Sequence, residues 1–210
     1  MPSSPIYGLR EFECRNVVFA DMHLGELAEI QMGYPFRSRL EHDPQGDVAV
    51  IQMKDIDDAN LLHAEGATRI KLPEGKSHHL LRAGDLLFRS RGLNNGAAQV
   101  LGGVGPAVLS APMLRIRPRG VLPEYLCWYI NAPATQAQLS ALAEGTSVQM
   151  ISAQALKTLV VPLPSPDAQH LIGEAAALVE REHILLTRIA VLRQRAAQHV
   201  LMKSAHEATG

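Results

Sequence analysis

The chain has 210 residues, 47% of them hydrophobic, and a formal charge of −1, which suits one core with an appended element and is short for two full domains. No apolar run approaches the roughly eighteen residues of a membrane span, and MPSSPIYGLREFECR carries charge before any signal-like apolar stretch, so the expected compartment is the cytoplasm. The near-neutral total argues against a generic basic nucleic-acid coat, and Cys14 and Cys127, far apart and outside any CxxC or His-rich spacing, predict buried reduced thiols rather than a disulfide framework or a zinc site.

From Phe19 to about Pro162 the sequence reads as short mixed elements, often punctuated by Gly and Pro. An apolar segment covers Val17 to Ala20, a strand-like VAVIQM runs from Val48 to Met53, and DLLFRS runs from Asp85 to Ser90. GGVGPA at Gly102 to Ala107 does not fit a dinucleotide-binding turn and reads as a hairpin. LPEGKS at Leu72 to Ser77 ends like a phosphate-binding loop, but Ile70 stands where that motif needs its first glycine. His78-His79 is no metal site, because adjacent side chains point apart on a strand or helix and no other ligand stands nearby at ligand spacing. Pro123 to Glu144 reads as a helix broken or kinked at Pro133, and LKTLVVPLP at Leu156 to Pro164 as a strand ending in a proline turn. Irregular runs of this kind predict an α+β domain of mixed elements over 1–164.

After Pro166 the character changes. Between Asp167 and Ser204 there is no proline and one glycine, Gly173, among Ala, Leu, Glu, Arg and Gln, which predicts one long helix within 165–210. Leu171, Leu178, Leu185 and Leu192 recur every seven residues, with Ala175, Ile189 and Ala196 between them and Glu182 as the exception. That is a coiled-coil seam, and Leu171, Leu178, Leu185, Ile189 and Leu192 are its candidate dimerisation residues. Ile172, Val179, Leu186 and Val200 widen the stripe, so the helix should touch both a partner helix and the domain or a second partner.

Four segments in order carry a family resemblance: HLGELAEIQMGYPFRS from His23, expected to open with a helix-like stretch and a Gly-Pro turn; VIQMKDID from Val50; LLRAGDLLFRSRG from Leu80; and EGTSVQMISAQALKTLVVPLPSPDAQHLI, which ends at Ile172. Together they resemble the specificity subunits of type I restriction-modification systems, over roughly His23 to Lys203. Pro162, Pro164, Gln169 and Ile172 fit the family's passage from a PLP turn into its spacer helix, while Ser165-Pro166-Asp167 replaces the doubled proline and leucine usual there. A full subunit has two target-recognition domains and two such helices, so the chain looks like a half subunit that finds its other half in a second copy. The resemblance implies a non-catalytic, cofactor-free reader of double-stranded DNA, with methylation, from S-adenosylmethionine bound elsewhere, and cleavage left to methyltransferase and restriction subunits.

Reading DNA needs cations for phosphates and planar bidentate groups for bases, chiefly Arg for guanine and Asn or Gln for adenine. Between Arg82 and Arg119 six arginines face one acid, Asp85, so the neutral total hides a basic segment. Within it Arg89, Arg91, Asn94, Asn95 and Gln99 lie on a glycine-flanked loop, the leading candidate base reader, with Arg82 just before it. A second group comprises Arg37 and Arg39 after the Gly33-Tyr34-Pro35 turn, and Gln52 and Lys54 at a strand end. Solvated surface arginines are the plain alternative. No nuclease-like carboxylate spacing or nucleophile arrangement stands out. A protein-binding adaptor is the competing reading, and a small enzyme of unknown type the third.

Overall fold

The structure, a computed structural model, describes residues 20–36, 40–92, 95–145 and 149–207, with side chains up to Ser204. Its first elements are β1 (Ala20–His23), α1 (Leu24–Leu27) and β2 (Ala28–Met32), then β3 (Val48–Ile51), β4 (Thr68–Ile70), β5 (Leu86–Phe88) and β6 (Ala97–Gln99). They are followed by β7 (Ala107–Leu109), β8 (Leu114–Pro118), α2 (Pro123–Asn131), α3 (Pro133–Ala141), α4 (Ala153–Lys157), β9 (Val160–Leu163) and α5 (Pro166–Glu207).

Side-chain alternation along β5 explains the layering. Leu86 and Phe88 face one way, into a core with Leu24, Leu27, Tyr125, Leu126, Ile130, Leu156 and Val161; Leu87 faces the other, with Ala49, Ile51, Ala98, Leu109 and Met113. The antiparallel sheet β2-β8-β5-β6 therefore lies between a helical layer and the sheet β4-β3-β7. β3 is buried along its whole length, as its unbroken VAVI run requires: Val48 and Val50 meet a third cluster with Val108, while Ala49 and Ile51 meet the second. β9 pairs antiparallel with β1, Ala20 opposite Leu163.

Pro133 divides the expected helix cleanly. It is the first residue of α3, and Ala132 before it is extended (φ −63°, ψ 139°), ending α2 and starting α3. Three expectations need correction. GGVGPA is not a hairpin: β6 before it pairs with β5, whereas β7 after it runs parallel to β3, so the segment crosses between sheets. The expected strand from Leu156 begins as helix, because Ser152 caps α4 by accepting the Ala155 N–H at 3.1 Å; only Val160–Leu163 is strand. The opening segment from His23 contains a single helical turn and then β2.

α5 is one helix of 42 residues, about 63 Å long at 1.5 Å per residue. Ile172 packs against the helical core and α5 packs on α2, but Leu171, Leu178, Leu185, Ile189, Leu192 and Val200 are exposed. No helix among the described residues is long and apolar enough to cross a membrane.

Candidate nucleic-acid interface

Where β5 ends, Arg89 turns inward. Its backbone N–H donates to the Gly96 carbonyl at 2.9 Å, and its guanidinium donates to the carbonyls of Ile56, at 2.9 Å, and Asp57. At 7% exposure, a side chain with five N–H donors serves as a brace between two loops. Asp57 organises the loop that Arg89 holds: its Oδ1 accepts the N–H groups of Ala59 at 3.0 Å and Leu61 at 2.8 Å. Its Oδ2 meets His63 Nε2 at 2.8 Å. Burial pushes the Asp57 pKa up, but the His63 hydrogen bond, its charge and the backbone donors outweigh it and leave the carboxyl below its usual value. The Asp57 carboxylate in turn raises the His63 pKa.

Side-chain amides complete this frame. Asn95 Nδ2 donates to the Arg89 carbonyl at 2.9 Å, Gln136 Nε2 donates to the carbonyls of Asn95 and Ile130, and Asn131 pairs with both backbone groups of Ala97 like a strand neighbour. Asn95 is buried with Arg89. Both were expected to present donors to DNA; the described conformation uses them inside the protein instead, because the carbonyls of 56–57 and of Arg89 itself need partners once buried.

Arg91 stands differently. It is exposed and lies opposite Met150 in an antiparallel bridge, with the Gly92 N–H donating to the Gln149 carbonyl at 3.1 Å and the Ile151 N–H to the Ser90 carbonyl at 2.8 Å. Gly92 holds φ at +104°, where a side chain would be strained. Met150 pairs on its other side with Glu144 through bonds of 2.9 and 3.0 Å. A rim of Arg91, Gln149, Met150 and Glu144 results, all exposed and all but Met150 polar or charged. Gln149 and Met150 carry little signal in the sequence beyond the glycine-led polar stretch EGTSVQM. Lys54 is exposed and Gln52 half-buried in the turn after β3, and that turn leads directly into the 56–57 loop that Arg89 holds. Arg82 is exposed at the entry to β5, away from the Arg91 end, and Gln99 is half-buried on β6 opposite Leu86. Arg37, Arg39 and Asn94 lie outside the described residues.

The rest of the basic segment is less cationic than its sequence count. Arg117 makes a two-pronged pair with Asp85, 2.7 Å on each prong, and the carboxylate raises its pKa. Glu29, from β2, holds Arg115 at 2.7 Å and also Arg119. The His78 and His79 rings do not point apart, as adjacency on a strand or helix would require, but approach to 4.2 Å on a short 3-10 turn. Cys127 is shielded against Ala97, and burial pushes its thiol up to about 12; Cys14 lies outside the described residues.

Residues 16–189 match the family model of the type I restriction modification DNA specificity domain. The chain belongs to that family. No curated protein matches this specificity domain in sequence. Among solved structures it is similar to a chain from work on complex assembly and conformational transition of the type I restriction-modification system, with TM-score 0.65 and 18% identity over 85% of this chain and 42% of that one. It is also similar to the HsdS subunit from Thermoanaerobacter tengcongensis, with TM-score 0.59 and 18% identity over 85% and 42%, and to a type I S subunit from M. genitalium, with TM-score 0.56 and 15% identity over 87% and 44%. The specificity domain thus spans less than half the length of these structural relatives and shares their fold.

Proposed function

We propose that the chain selects DNA targets for a type I restriction-modification system as one half of a specificity unit. The domain reads duplex DNA with the exposed rim around Arg91 and Gln149, supported by Lys54 and Gln52 on the neighbouring loop and Arg82 farther along. Arg37, Arg39, Asn94 and Gln99 remain candidates for contacts with the duplex. Arg89 and Asn95 hold the rim in shape. Two copies pair through the seam of Leu171, Leu178, Leu185, Ile189 and Leu192 on α5, and the pair directs methyltransferase subunits, with a restriction subunit where cleavage follows. The chain itself needs no cofactor, carries out no catalysis and works in the cytoplasm.

The observation that carries this reading is the family match, which runs through the whole described domain and past the midpoint of α5. The exposed leucines of α5 support the pairing, since an apolar stripe of this length in water is a partner surface. Fluorescence anisotropy with labelled duplex DNA across a salt series tests the reading. A DNA reader shows log K falling linearly with log salt; absence of DNA binding even at low salt would favour a protein-binding adaptor.

A further inference from the structure

One side chain sits at the junction of α5 with the domain and uses both ends. Gln169, in the first turn of α5, is 3% exposed. Its Nε2 donates to the Pro164 carbonyl at 2.8 Å, and its Oε1 accepts the Leu122 N–H at 2.8 Å. Pro164 follows β9 and Leu122 precedes α2, so one amide ties three elements together. One turn later, Gly173 is buried against α2: a Cβ there would lie 2.5 Å from Glu124 Cγ and 3.1 Å from Glu124 Cβ. α2 is itself fixed to β9 through the Tyr125 hydroxyl, which donates to the Pro162 carbonyl at 2.6 Å.

These contacts end early. Beyond Ala176 the described side chains of α5 are exposed, apart from a half-buried Ile184. The remaining helix is about 46 Å long, so a tilt of about 10° at its root moves the tip by about 8 Å, more than two base-pair steps of about 3.4 Å. Apolar contact alone would tolerate such a tilt, because it has no direction. Two hydrogen bonds from one planar amide do not, since each weakens steeply with angle.

We propose that Gln169 is a positioning residue for target spacing: with Gly173 it fixes the angle at which α5 leaves the domain, and so the number of unread base pairs between two half-sites. This rests on the paired reading above. It assigns the spacing to a side chain that touches neither DNA nor the partner copy's seam.

The test uses the full chain carrying spin labels at Gln154 and Gln194, with Cys14 replaced by Ser and the labelled protein diluted in unlabelled protein so that only distances within one chain are read. The wild type should give one narrow distance distribution. Gln169→Met removes both hydrogen bonds at nearly constant length, and Gln169→Glu keeps the acceptor but loses the donor; both should broaden or shift the distribution in a chain that still folds, with a lower melting temperature. In selection from duplexes with graded half-site spacings, their preference for the best spacing over its neighbours should fall about five-fold, the weight of one net hydrogen bond, with the bases chosen in each half-site unchanged. If Gln169→Met does not fold, Gly173→Ala, which wedges the helices apart with both hydrogen bonds available, gives the same readouts. An unchanged distribution in these variants, or a broadened one with spacing preference intact, overturns the proposal. A wild type that binds DNA only as a monomer overturns the paired reading and the spacing role with it, while the distance within one chain still decides whether Gln169 orients the helix.

Discussion

Arg89 and Arg91 stand two residues apart and face opposite environments. Arg89 is a buried brace on the carbonyls of Ile56 and Asp57, whereas Arg91 is exposed beside Met150 and Gln149. Arg89→Ala should therefore destabilise the fold by about 3 kcal/mol, as expected for hydrogen bonds from a charged donor to buried carbonyls. Arg91→Ala should leave the melting temperature unchanged and weaken DNA binding by about 1–3 kcal/mol, the worth of one bidentate base contact. Chemical denaturation and anisotropy on both variants separate the two roles, and a folding loss in Arg91→Ala would place that residue in the frame as well. The sequence showed a basic, amide-rich loop but not this division, because the partners of Arg89 lie 32 and 33 residues away. The same distance effect hid the neutralisation of Arg115 by Glu29, 86 residues apart.

At the scale of elements, what was legible depended on whether the signal was local. The long helix α5, the break at Pro133 and the strands β3 and β5 are written in residue type and spacing. The crossing of Gly102 to Ala107 was not, since only the parallel pairing of β7 with distant β3 distinguishes it from a hairpin. α4 was legible in principle, through Ser152 as a cap, but the apolar run after it masked the signal. The loop after β3 is held by the His63–Asp57 pair, which gives it a pH dependence. The folded pKa of His63 is raised, so its contribution to stability is full below the ordinary imidazole value of about 6.5 and is lost as pH rises through the raised folded value. The folded pKa of Asp57 is lowered, so its contribution is present above about 3.9 and is lost as pH falls through the lowered value. His63→Ala should thus lower the denaturation midpoint at pH 5.5 and leave it nearly unchanged at pH 8.5. An equal loss at both pH values would mean that the ring acts by packing and not by charge.

At the scale of the whole molecule, a domain with a braced, exposed rim carries a helix whose apolar stripe has no cover among the described residues. Leu178 and Leu185 are 67% and 54% exposed in the single chain, so replacing both by Asp costs the isolated fold little. In a paired helix the same change buries unpaired carboxylates at several kcal/mol. Light scattering at micromolar concentration should then show a dimeric wild type and a monomeric Leu178→Asp, Leu185→Asp variant; a variant that stays dimeric would assign the pairing to another surface. Identical domains related by a two-fold axis must see identical half-sites on opposite strands. The most direct test of target selection is therefore to sequence the duplexes that the wild-type chain retains from a random library at physiological salt. An enriched interrupted palindrome, with its two halves at one fixed spacing, is the predicted result; retention of duplexes with no common sequence would contradict it.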